Sequence, residues 1–144
     1  MRWLLVLALV AGCHHQRDTP LHCGHGPPPA SGGINPLLVP GAFYCYDAAT
    51  SCPGECSAVT SPRWSCYTQD GPPAPGTICY PDPAMCLASR PHRPGVGECA
   101  EVDAAYCSTA NHAVTCQATA AECERTRDLL ASALHVTNGP CTAN

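Results

Sequence analysis

Twelve cysteines of this chain fall into three sets of four, and in each set six residues separate the middle two. The clearest set spans Ala105 to Cys141: Cys107 follows an aromatic, Cys116 ends a short β-like run, Cys123 lies at a helix start, and Cys141 closes the unit. Cys66, Cys79, Cys86 and Cys99 repeat the pattern from Trp64 onward. Residues 42–56 look like a partial copy, with Cys45 and Cys52 as its middle pair and Cys23 and Cys56 as its outer cysteines. Terminal copies of a repeat are often degenerate.

The rest of the composition makes these cysteines necessary. After an N-terminal segment of 12 residues, Leu, Ile, Val and Phe supply only sixteen of the remaining 132 positions. So little apolar surface does not offset the entropy of ordering a chain, and such a composition stays disordered unless cross-links close it. Cysteine is about 9% of that remainder, within the range of disulfide scaffolds. Setting Cys13 aside leaves an even twelve: Cys23, Cys45, Cys52, Cys56, Cys66, Cys79, Cys86, Cys99, Cys107, Cys116, Cys123 and Cys141. We expect six bridges, each contributing about 2–4 kcal/mol by restricting the unfolded state. They require an oxidising compartment.

The N-terminus supplies the route to one. A single Arg2, an apolar run from Trp3 to Ala11 and a small-residue finish read as a secretory signal peptide over residues 1–12. The run falls short of the roughly 20 apolar residues that span a bilayer. Val10-Ala11-Gly12-Cys13 resembles a bacterial lipobox. That resemblance implies that Cys13 is lipidated and becomes the first mature residue, carrying several acyl chains, which suffices for stable anchoring. With His14 rather than Asp next, it also implies sorting to the outer membrane. Residues 13–41 are rich in Pro and Gly and read as a disordered tether. Within it His14, His15, His22 and His25 surround Cys23 and form a candidate site for Zn²⁺, Cu or Ni²⁺. The alternative is a polar tether whose Cys23 is spent in a bridge.

Beyond the tether we expect three cysteine units, over residues 42–62, 63–100 and 101–144. In the first, Pro53-Gly54 stops any helix after Cys52. In the second, the turn-rich run Gln69–Gly76 separates two β-like stretches, so residues 64–80 read as a hairpin. Asp82-Pro83 then opens a short helix. In the third, a turn around Asn111 joins two strands, and Thr119-Ala-Ala-Glu122 is a capping box. Cys123, Thr126, Leu130, Ala133 and Leu134 share a helical face, and Asn138-Gly139-Pro140 signals a stop near His135. The expected fold class is therefore a small disulfide-rich α+β array of hairpin-plus-helix units. Cys123 to His135 is about 18 Å of helix, so bonding Cys141 to Cys123 requires an almost fully extended return. On that ground we expect Cys123 to bond Cys116 or Cys107, with Cys141 taking the other.

Several pieces carry a further resemblance: Trp64-x-Cys66-Tyr67, Cys79-Tyr80-x-Asp82-x-x-x-Cys86-x-x-x-Arg90, Ala105-Tyr106-Cys107 and Cys116-x-x-Thr119-x-x-Glu122-Cys123-Glu124-x-x-Arg127. They are similar to short cysteine-rich modules of exported bacterial lipoproteins whose proteomes are rich in alanine, proline and arginine. The resemblance covers about residues 64–141 and brings no known activity with it.

Chemical motifs are sparse. The sequence has no Cys-x-x-Cys, Gly-x-Ser-x-Gly, His-Glu-x-x-His or phosphate-binding glycine loop. Lysine is absent and the mature chain is acidic, which gives nucleic acid no electrostatic footprint. Glu98, Glu101 and Asp103 offer an acid–base pair or a weak Ca²⁺ site, against the simpler reading of a solvated face. Cys52-Pro-Gly-Glu-Cys56 reads as structural, and His112 and His135 as surface residues. Trp64, Tyr67, Tyr80 and Tyr106 form either a recognition surface or the small core of each hairpin. The expected role is non-enzymatic and without cofactor: an envelope lipoprotein, held to the membrane by its lipid, that displays loops such as Asp70–Gly76 and Arg90–Gly97 to a protein or envelope ligand. Inhibition of an exported protease and metal capture by the tether are the alternatives.

Overall fold

A computed structural model describes residues 19–25, 42–71 and 75–144. Residues 1–18, with the expected signal peptide, Cys13, His14 and His15, lie outside the described residues, as do residues 26–41 and 72–74.

Among the described residues the strands form two antiparallel sheets. The first contains β1 (Leu21–His25), β2 (Phe43–Tyr46), β3 (Ser57–Val59), β7 (Tyr106–Ala110), β8 (Ala113–Gln117) and β9 (Thr142–Ala143), in the order β3-β1-β2-β8-β7-β9. The second contains β4 (Ser65–Gln69), β5 (Gly76–Tyr80) and β6 (Ala100–Glu101), in the order β5-β4-β6. Two helices, α1 (Pro83–Ser89) and α2 (Ala120–Leu134), follow β5 and β8.

The hairpins expected at 64–80 and around Asn111 are present. The tight turn between β7 and β8 holds two residues, Asn111 and His112, at φ of 47° and 69°. Two left-handed residues match the twist of the flanking strands, and Asn tolerates that conformation well. Helix α1 begins as its sequence dictates. Asp82 Oδ1 accepts from Ala84 N–H at 2.8 Å and Met85 N–H at 3.4 Å, and Pro83 occupies the first helical position, where no N–H is needed. Before Cys52 the chain makes only a single 3-10 turn, Ala49–Ser51, as expected where Pro53 and Gly54 block propagation.

All six bridges form: Cys23–Cys45, Cys52–Cys56, Cys66–Cys79, Cys86–Cys99, Cys107–Cys116 and Cys123–Cys141. Three of them staple a strand pair at directly opposed residues, with Cα atoms 4.0–4.1 Å apart. That separation belongs to pairs that exchange no backbone hydrogen bonds, where side chains lie closest. These three bridges meet in one core cluster with Leu21, Trp64, Ala105 and Val114. Sulfur thus replaces much of the missing aliphatic volume.

Two sequence expectations fail here. Cys123 bonds Cys141, not a hairpin cysteine, with Cα atoms 6.1 Å apart. The extended return that argued against this pairing exists and is held by hydrogen bonds. His135 turns the chain in the left-handed conformation at φ 53°. Asn138 then bridges Ala110, its Nδ2 donates to Arg127 O at 2.7 Å, and Gly139 N–H donates to Thr109 O at 2.8 Å. β9 completes the return along β7. The turn is made at His135, and Asn138-Gly139 serves the return rather than the cap.

The second failure concerns the tether. Leu21–His25 is a strand, not disordered chain, and Leu21 and Cys23 are core residues. β1 pairs with both β2 and β3, so the folded part includes residues well before the expected boundary at residue 42. A smaller departure lies on α2. Cys123 is fully buried, but Leu134 is 43% exposed and Ala133 is exposed as well, so the end of the expected face is in solvent. The Thr119 side chain accepts from Glu122 N–H as a cap should, at 3.2 Å. The Glu122 carboxylate is shared between Thr119 Oγ1 and, across to the second sheet, Thr77 Oγ1 at 2.7 Å.

Candidate display site

The second of the two loops singled out in the sequence lies beside Asp70, the described start of the first, at one end of the three-stranded sheet. β6 pairs with the first residues of β4, Ser65 and Cys66, so the chain leading to β6 runs along the rest of that strand. Gly97 N–H donates to Thr68 O at 2.8 Å, Val96 bridges Gln69, and Asp70 N–H donates to Gly95 O at 2.9 Å. Gly95 has φ +81°, a conformation glycine adopts without steric cost. It brings the second loop to within 3.6 Å of the Asp70 Cβ, measured from where a Gly95 Cβ would stand.

Arg90 and the Cys86–Cys99 bridge fix the base of the second loop. The Arg90 Nε donates to Gly97 O at 2.6 Å, and its guanidinium also pairs with Glu98. The side chain is only 16% exposed, so it is part of the scaffold and not of the displayed surface. Beyond it His92, Arg93 and Pro94 are exposed, as are Asp70 and Pro75 of the first loop. The site therefore presents charges of both signs on backbone that is pinned by three hydrogen bonds.

Tyrosines underlie this corner. Trp64 and Tyr67 are buried, and Tyr67 stacks on Tyr80 with ring centroids 6.5 Å apart, so these aromatics are core rather than recognition surface. Burial pushes the Tyr67 phenol well above its ordinary range, the Tyr80 phenol adds to this, and the Arg93 guanidinium acts in the opposite sense. The Tyr80 phenol is likewise raised by burial, against the pull of a hydrogen bond with Ser89. Tyr106 is half-buried at the start of β7.

The other candidates disperse. Cys23 lies in a bridge, and His22 and His25, three residues apart on β1, project to opposite faces of the sheet. The His25 ring packs on Phe43, with centroids 3.8 Å apart. Among the described residues no group of three His, Cys, Asp or Glu side chains converges on a point. Glu98 is paired with Arg90 and Glu101 with Arg63, so the acidic run is divided between two ion pairs. The exposed His112 has its Nδ1 3.0 Å from Asp47 Oδ1, and Asp47 N–H donates to His112 O, joining the third unit's turn to the first unit. Sequence reasoning named both display loops without placing them together; the signal was Cys99, whose neighbours extend a third strand along β4.

No described helix is long and apolar enough to cross a membrane. No protein-family model, curated protein or solved structure matches this chain.

Proposed function

We propose that this protein is a non-enzymatic envelope lipoprotein, anchored through a lipidated Cys13, whose disulfide frame displays the 70–76 and 90–97 loops to a partner. One observation supports the display role: two backbone hydrogen bonds, Asp70 N–H to Gly95 O and Gly97 N–H to Thr68 O, pair Gln69 with Val96 and hold the second loop against the start of the first, while Arg90 Nε braces the second loop at Gly97 O. Binding sites favour such loops on rigid scaffolds, because little conformational entropy is lost on association. The anchor rests on the lipobox-like Val10-Ala11-Gly12-Cys13.

We also infer that the frame is three copies of one unit. In each, the first cysteine bonds the second and the third bonds the fourth. The residue after the fourth cysteine lies opposite the first: Ser57 opposite Cys23, Ala100 opposite Cys66, Thr142 opposite Cys107.

The test is binding of the purified mature chain to isolated envelope fractions, compared with an Asp70→Ala/Arg93→Ala variant. The display reading requires saturable binding that the double variant loses. Undiminished binding places the contact elsewhere. Inhibition of an exported protease is the second reading, favoured by the Cys86–Cys99 closure of an exposed Arg93-containing loop. Tight, cleavage-resistant complexes with one member of a protease panel would support it over simple display.

A further inference from the structure

The six bridges are not equally protected. In five of them at least one cysteine is buried to 8% exposure or less. In Cys52–Cys56 neither is, and the three residues it encloses, Pro53, Gly54 and Glu55, are all exposed. Its partners are 4 residues apart, against 9 to 22 for the others. A bridge restricts the unfolded chain in proportion to the logarithm of the loop it closes, so the fold loses least when this one opens. Attack by an external thiolate further depends on access to the sulfur.

We propose that Cys52–Cys56 is a thiol–disulfide exchange site, opened by a dithiol reductant of the envelope while the other five bridges stay closed. The two sulfurs differ. Cys56 Sγ lies against β1, at 2.9 Å from where a Cβ on Gly24 would stand, so strand backbone covers one side of it. Cys52 follows the 3-10 turn, and its Sγ lies 3.2 Å from Gly54 O in an exposed contact. The reductant's thiolate attacks Cys52 Sγ, forming a mixed disulfide, and Cys56 leaves as a thiolate that takes a proton. The reductant's second thiol then displaces Cys52, which leaves as a thiol. The reductant is oxidised to its disulfide, and the protein gains two electrons and two protons.

The first sheet survives this step. Cys23–Cys45 still joins β1 to β2, and β3 keeps its pairing with β1 from Leu21↔Val59 to Cys23↔Ser57. Opening is therefore local and reversible, and the freed Cys52 and Cys56 are the only reactive thiols it creates.

The experiment is limited reduction of the full mature chain with dithiothreitol, quenched by alkylation and mapped by peptide mass. Cys52 and Cys56 should be alkylated at least about tenfold faster than any other cysteine, with far-ultraviolet circular dichroism unchanged at that stage. A Cys52→Ser/Cys56→Ser variant should lack this fast phase alone. Another bridge opening first, or all six opening together, would overturn the proposal.

Discussion

Ser89 Oγ accepts the Phe43 N–H at 2.8 Å, so the last residue of helix α1 is bonded to the first residue of a strand 46 positions earlier. Ser89 is 1% exposed, and its hydroxyl also engages the Tyr80 phenol. One small side chain thereby ties β2 to the segment that carries β4, β5 and α1. That segment is tied to β8 and α2 in the same manner, by Thr77 Oγ1, which accepts from Ala118 N–H at 2.8 Å and donates to Glu122.

Replacing Ser89 by Ala should therefore act on this join, and it also removes the contact with Tyr80. It leaves a half-buried backbone donor without its acceptor, a loss of about 1–3 kcal/mol. Urea unfolding of the oxidised protein measures it. An unchanged midpoint would mean that water replaces the hydroxyl and that the units are not coupled through it.

Gly24 should tolerate no side chain. A Cβ there would stand 2.2 Å from Glu55 O and 2.9 Å from Cys56 Sγ, and the first of these is backbone that has to move. We expect Gly24→Ala to cost about 1–3 kcal/mol, as overpacking does. Gly71→Ala, where nothing lies within 4 Å, should change stability by no more than about 0.5 kcal/mol. Equal effects at the two sites would contradict the packing of the 52–56 loop on β1.

Alkaline pH should weaken the fold through its tyrosines. Burial raises the phenols of Tyr44, Tyr46, Tyr67 and Tyr80 above their ordinary range. In the unfolded chain they ionise near pH 10. The folded protein then holds more protons than the unfolded one, so the stability these groups contribute is fully present below about pH 10 and is lost as pH rises beyond it. Urea midpoints should be level from pH 7 to 9 and fall between pH 10 and 11. The absorbance titration of the folded chain should lag that of the guanidinium-unfolded chain. Superimposed titrations would place these phenols in water.

Local rules in the sequence account for the second and third hairpins, the start of α1 at Asp82-Pro83 and the Thr119 cap of α2. Each is decided by residues within a few positions, where turn chemistry and capping act. What escaped is long-range. The Cys123–Cys141 pairing is accompanied by hydrogen bonds from Asn138 to Arg127 and from Gly139 to Thr109, and by the bridge between Asn138 and Ala110, which no spacing rule contains. β1 escaped because Leu21-His-Cys-Gly-His25 is short, polar and set among prolines; pairing on both sides with β2 and β3 makes it a strand. The join of β2 to β8, through Cys45↔Val114 and Tyr46↔Ala113, is likewise invisible to any local pattern.

The central claim is a fully bridged, repeated frame on a lipid-modified Cys13. It is tested most directly by non-reducing digestion and mass mapping of protein extracted from membranes. The account predicts no free thiol outside Cys52 and Cys56, the pairs Cys107–Cys116 and Cys123–Cys141 with Cys66–Cys79, Cys86–Cys99 and Cys23–Cys45, and acyl mass on an N-terminal Cys13 peptide. An unlipidated chain with several free thiols, or a link from Cys123 to Cys116 or Cys107, would contradict it.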